Sequence, residues 1–176
     1  MNVNLNEEAP VHTQAEVGVD PQAFRAAMGA VATPVSIVTT NLDTPHGTTV
    51  SAFASLSLDP PMVLVSLQHD SDLLELIEGS GRFGLNVLAF DQAGIAATFA
   101  KRGLDRFASV DWALDQGLPR IAGIASWAAC RVIDLVRAGD HTIVTGLVEA
   151  ADSFDVAGLV YQHRRFGHFT PVELAP

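Results

Sequence analysis

Between Phe24 and Thr170 the apolar positions change their spacing several times, and each change marks an element. Phe24, Ala27, Met28 and Val31 fall on one helical face behind Asp20 and Pro21, a capping carboxylate followed by a first-turn proline. They predict a helix to about Ala30. From Val35 the pattern shortens. The runs Val35 to Thr40, Thr48 to Leu58, Met62 to Leu67 and Phe83 to Leu88 are rich in Val, Leu, Ile, Phe and Thr, with Gly, Pro and Asp between them, as strands require. Two short helices are predicted among them: Ser71 to Glu78 behind a capping serine, and Asp91 to Ala100 behind a capping aspartate. Farther on, Trp127 to Ala138 and Thr142 to Ala151 flank Gly139, Asp140 and His141 and read as an antiparallel hairpin. A last pair, Leu159 to His163 and Phe166 to Thr170, turns at Arg164 and Arg165. The pattern predicts a mainly β fold, a barrel with helical decoration rather than a parallel sheet.

Length and composition narrow this further. The chain of 176 residues suits one core, with residues 1–19 as a polar, flexible arm and residues 20–176 as a single domain. The arm lacks the basic and apolar regions of a secretory signal, and no run is long and apolar enough to span a bilayer, so the expected location is the cytoplasm with no membrane role. A formal charge of −10 would repel a nucleic acid backbone, and no nucleic acid partner is expected. The cations are nevertheless uneven: Lys101, Arg102 and Arg106 cluster, and Arg164 adjoins Arg165. A small phosphate ligand remains open. Cys130 is the single cysteine, which excludes an intrachain disulfide and agrees with a reducing compartment.

Gly79, Gly81 and Gly84 spell the G-x-G-x-x-G of dinucleotide-binding folds, but the context is inverted. That motif needs a strand before it and a helix after it, so that the helix N-terminus meets the pyrophosphate. Here a helix leads in and a strand leads out. A helix C-cap and turn is the better reading.

The informative stretch is Gly47 to Pro61, G-T-T-V-S-A-F-A-S-L-S-L-D-P-P. Read as one strand, it places Val50, Ala52, Ala54, Leu56 and Leu58 on an apolar face and Thr49, Ser51, Phe53, Ser55 and Ser57 on the other. Hydroxyls at period two beside one aromatic ring suit a flat, polar-edged heterocycle; they equally suit the solvated face of a half-buried strand. Spacing alone leaves both readings open.

With T-P-V-S-I-V-T-T before it, and M-V-L-V-S-L, F-G-L-N-V-L, R-F and G-D-H after it, this stretch resembles the short-chain flavin reductases, over about Phe24 to Phe169. That resemblance implies the FMN-binding split barrel, a Greek-key-like antiparallel barrel and commonly a homodimer. It implies a reductase that passes hydride from NADH or NADPH to FMN or FAD and supplies reduced flavin to a partner monooxygenase. Matched position by position, it places Thr49, Ser51, Ala52 and Phe53 along the flavin ring, with Ser55 and Ser57 following. Ser66, Leu67 and Gln68 fall at the end of the next strand. Ser71 falls at a helix start where free N–H groups hold phosphate, and Asn86 and Lys101 at further flavin or phosphate contacts. His141, in G-D-H, corresponds to a histidine beside the nicotinamide. Pro34 stands where many members carry Gly and would withdraw a main-chain N–H. The remaining histidines read as surface or packing residues, and no metal site is expected. Two other readings stay open on the same barrel: a non-catalytic FMN carrier or sensor, and a flavin-dependent oxidase of a small metabolite.

Overall fold

The computed structural model describes residues 18–103 and 105–172, so most of the predicted N-terminal arm lies outside the described residues. The chain opens with α1 (Pro21–Gly29), whose N-cap Asp20 carboxylate accepts the N–H groups of Gln22 and Ala23 at 3.0 and 2.9 Å. Strands β1 (Thr33–Pro34), β2 (Ser36–Asn41), β3 (Pro45–Val50), β4 (Phe53–Leu58) and β5 (Pro61–Gln68) follow, then α2 (Asp72–Ser80), β6 (Arg82–Val87) and α3 (Ala93–Phe99). A single 3-10 turn (Phe107–Ser109) leads to β7 (Trp112–Asp115), β8 (Leu118–Ile121), β9 (Ser126–Ala138), β10 (His141–Ser153), β11 (Leu159–Gln162) and β12 (Arg165–His168).

Seven strands form one sheet in the order β3-β2-β6-β9-β10-β5-β4, every pair antiparallel. Its two edge strands, β3 and β4, are consecutive in sequence and separated only by Ser51 and Ala52. The three steps from Val50 to Phe53 span no more than about 11 Å. The sheet must therefore curl until its edges meet, which makes it a barrel whose seam is this link rather than a ladder. On one side of the link the Ser66 N–H donates to the Ala52 carbonyl at 2.8 Å, extending the β4–β5 pairing by one residue, and on the other the Ser36 hydroxyl donates to the Val50 carbonyl at 2.8 Å at the end of the β2–β3 ladder. The fold is a split, barrel-like antiparallel sheet, mainly β as the sequence pattern predicts.

The curled sheet has two cores. Inside, Val38, Val65, Phe83 and Val144 pack against Leu73, Leu74 and Ile77 of α2. Each such side chain contributes roughly 1.5–3 kcal/mol by leaving water. Gly146 is required here, because a Cβ on it would lie 2.6 Å from the Phe83 ring. Outside, Ile37, Leu88, Trp127 and Ala129 pack against Ala96 and Phe99 of α3 and Leu118 and Ile121 of the β7–β8 hairpin.

Several sequence expectations change. The predicted strand from Thr48 to Leu58 is two strands. Val50 and Phe53 both pack on the inner core although they are three residues apart, which an unbroken period of two forbids. Beyond the seam the alternation is reset, so Ala54, Leu56 and Leu58 are exposed instead of buried. Asp91 is not a cap: α3 starts after Gln92, whose side chain accepts the Ala89 N–H instead. Ser71 holds the N-cap position of α2, but its hydroxyl makes no capping bond. The last hairpin turns at His163 and Arg164, both with positive φ, one residue earlier than expected. The β7–β8 hairpin was not anticipated. Gly81 closes α2 in the left-handed conformation at φ 66°, with its N–H on the Ile77 carbonyl at 2.8 Å, so the glycine pattern is a helix stop.

Candidate functional site

The seam opens into a cleft of about 360 Å³. Its walls are the end of β3 (His46, Thr48, Thr49, Val50), the link Ser51–Ala52, the end of β5 (Ser66, Leu67, Gln68), the approach to α2 (Asp70, Ser71, Asp72, Leu73), the loop after α3 (Ala100, Arg102, Arg106) and His141. Because β10 pairs with β5, His141 lies opposite Gln68 in the ladder and enters the cleft beside the β5 end.

The hydrogen-bonding capacity of this cleft is unevenly committed. Thr48 and Thr49 donate their hydroxyls to the Phe99 and Ala96 carbonyls at 3.2 and 2.7 Å, the first serving an orphan carbonyl of the α3 C-terminus and the second sharing its acceptor with the Ala100 N–H. They fix α3 against β3 and keep only acceptor lone pairs for a ligand. The backbone N–H groups of Ser51 and Ala52 donate to no acceptor among the described residues, because the link belongs to neither ladder. The Ser71 hydroxyl likewise has no partner among the described residues, and it stands at the positive end of the α2 dipole. Main-chain donors thus face one part of the cleft, and a hydroxyl beside a helix N-terminus faces another.

Charge is concentrated at the rim. The Arg106 guanidinium donates through Nε to the Lys101 carbonyl at 2.8 Å and through Nη1 to the Gly47 carbonyl, which fastens the post-α3 loop onto β3. Burial holds its pKa below the ordinary value and Asp72 opposes that. Arg102 meets Asp70 at 3.4 Å, an exposed pair. Burial first, then Arg106, holds the His46 imidazole below the usual histidine range, with Asp72 acting against both. His141 bonds through Nδ1 to the Asp140 carboxylate at 2.7 Å, which keeps the Asp140 carboxyl below its usual range. His69 donates Nε2–H to the His141 carbonyl at 2.8 Å. With Nδ1 as donor to a carboxylate, His141 keeps Nε2 for a ligand.

Of the residues singled out from sequence, Thr49, Ser51, Ala52, Ser66, Leu67, Gln68, Ser71 and His141 line this cleft. The others do not. Phe53 packs against the inner core, and Ser55 and Ser57 pair with Val63 and Met62 past the seam. Pro34 pairs with Val160 in the small β1-β11-β12 sheet, where its missing N–H is no loss to the cleft. Lys101 is exposed and contributes its carbonyl to Arg106. Asn86 is fully buried: its Nδ2 donates to the Ile37 and Pro119 carbonyls and to Thr39 Oγ1, and its Oδ1 accepts the Ile121 N–H. It ties β2, β6 and β8 together, its amide hydrogens are committed, and at 0% exposure it does not reach the cleft. From sequence, His46 was read as a surface or packing residue, and Arg106 only as one of a cation cluster that left a phosphate ligand open. The available signal was His46 and Thr48, two apart on the strand that enters the seam.

Main-chain donors at the seam and guanidinium groups at one rim suit the cleft to a polar-edged ring that carries phosphate. The chain belongs to the flavin reductase-like family: the flavin reductase like domain matches residues 28–170. It is 38% identical over 165 residues to the reductase component of the 4-nitrophenol 4-monooxygenase/4-nitrocatechol 2-monooxygenase of Rhodococcus opacus, covering 93% of this chain and 89% of that protein. It is 40% identical over 153 residues to the reductase component of the flavin-dependent trigonelline monooxygenase of Acinetobacter baylyi, covering 85% of this chain and 49% of that one. The chain spans about half the length of the Rhizobium meliloti and Acinetobacter baylyi relatives it matches. Among solved structures, the NADH:FAD oxidoreductase SgcE6 of Streptomyces globisporus, in complex with NAD and FAD fragments, superposes with a TM-score of 0.83 at 34% identity, covering 87% of this chain and 96% of that one.

Proposed function

We propose that this protein is an NAD(P)H:flavin oxidoreductase that reduces FMN or FAD and releases the reduced flavin to a partner monooxygenase. The observation that carries this reading is the seam, where a family-specific stretch leaves two backbone N–H groups and an uncapped helix start facing one cleft. The residues fit a flavin. Ser51 and Ala52 N–H groups would hold the polar edge of the ring, and the Ser71 hydroxyl, the α2 N-terminus, Arg102 and Arg106 would hold its phosphate. Once bound, flavin supplies a hydride acceptor at N5 for the nicotinamide C4. What the chain adds is alignment: Leu67 and Ala52 give the ring walls, and His141 Nε2 orients the nicotinamide. Donors fixed at the ring edge stabilise the negative charge that reduction places there. No protein nucleophile is needed.

A homodimer belongs to the same proposal. Leu58 is 91% exposed and Leu56 and Ile133 about half exposed on β4 and β9, which supports burial of this apolar surface against a second copy. Residues 20–176 are proposed to act as one domain, in the cytoplasm; among the described residues no helix is long and apolar enough to cross a membrane. The test is oxidation of NADH and NADPH by purified protein with and without FMN, FAD or riboflavin, alongside His141→Ala. Flavin-dependent turnover that falls in the variant is expected. Tight flavin binding without turnover would leave a carrier, and flavin reduction only by another metabolite would leave an oxidase.

A further inference from the structure

The cleft does not end at His46. Beyond it lies a second chamber of about 250 Å³, lined by Pro45, Gly47, Gly103, Asp105 and Phe107, and the two chambers share His46, Asp72, Arg102 and Arg106. His46 therefore stands where the α2 N-terminus and the post-α3 loop converge. It pairs with Thr40 in the β2–β3 ladder, is half-buried, and its ring bonds to no described group. The charged groups around it are Asp72 at the first residue of α2, Asp70 before it, and Arg102, Asp105 and Arg106 on the loop; His141 lines the same cleft from β10.

Resting on the flavin reading above, we propose that His46 is a specificity-determining residue that distinguishes phosphorylated flavins from riboflavin in a pH-dependent way, joining Arg106 on the phosphate when its ring is protonated. In the free protein, burial and the Arg106 charge keep the imidazole neutral to a lower pH than usual, Asp72 only partly offsetting them. A phosphate against Arg106 and His46 cancels the nearby positive charge and favours the imidazolium. Binding therefore takes up a proton at His46. Affinity for a phosphate-bearing flavin rises as pH falls through the value of His46 in the complex, and levels off below the lower value of the free protein. Riboflavin, without a phosphate, lacks this dependence.

FAD is the right probe, because its pyrophosphate does not titrate near neutrality whereas a terminal phosphate does, with a pKa of about 6. Dissociation constants for FAD and riboflavin are measured by flavin fluorescence between about pH 8 and about pH 6, without nicotinamide. The ratio of the riboflavin to the FAD constant is expected to rise at least about threefold toward acid in the wild type. It is expected to stay flat in His46→Gln, whose cooperative unfolding transition verifies that it folds. A flat ratio in the wild type, or the same rise in His46→Gln, overturns the role of His46 while leaving flavin binding intact. Failure of both flavins to bind the wild type overturns the flavin reading itself, and this inference with it.

Discussion

Asn86 and Ser71 are both uncharged polar residues, yet the Asn86 amide is fully buried and bonded to four groups, while the Ser71 hydroxyl heads α2 with no capping bond. Around Asn86 the network is closed: Thr39 Oγ1 also reaches the Pro119 carbonyl at 2.8 Å, and every partner belongs to β2, β6 or β8. Around the seam it is open, because Ser51, Ala52 and Ser71 belong to links between elements. Polar residues in the two regions look alike in sequence. A saturated group can only hold the fold, whereas one left free at a cleft can hold a ligand without first breaking an internal bond.

Breaking the closed network should have the largest effect. Asn86→Leu strands the buried Ile121 N–H and is expected to cost about 2–4 kcal/mol in denaturant unfolding, with flavin affinity preserved in the folded fraction. Arg106→Ala comes next. It removes both ties of the post-α3 loop and one phosphate partner, so FAD and FMN should bind roughly 10- to 100-fold more weakly, while riboflavin loses less; equilibrium titration reads the split. Smallest is Arg102→Ala. Its partner Asp70 is 72% exposed and Arg102 itself 79%, and such a pair contributes less than about 0.5 kcal/mol to stability. A thermal melt should barely move.

The same contrast explains what the sequence disclosed. The β9–β10 hairpin was legible because its pairing is local and its turn is Gly139–Asp140. The break at Ser51–Ala52 was not, because the partners of β3 and β4 are β2 and β5, and only their pairing shows that the two strands lie on opposite edges of one sheet. With that break hidden, a uniform alternation put Phe53, Ser55 and Ser57 beside Thr49 and Ser51. Asn86 was set at a flavin contact by the resemblance, and its structural role was hidden because its four partners come from two other segments, β2 and β8, neither adjacent to it in sequence. His141 and Ser71 were placed in the cleft by the family resemblance and the helix-start signal, not by periodicity. The β7–β8 hairpin carries no strong turn signal beyond Gln116 and Gly117, both at positive φ.

The central claim is that flavin lies along the seam, and the most direct test is titration of Ala52→Trp and the wild type with FMN, FAD and riboflavin by flavin fluorescence. Ala52 is exposed and lines the cleft, so the indole should fill the ring site without disturbing the core. The predicted result is a loss of affinity for all three flavins of at least about tenfold, or roughly 1.4 kcal/mol, with an unchanged unfolding transition. Equal affinity in the two proteins would contradict the account and place the flavin elsewhere on the barrel.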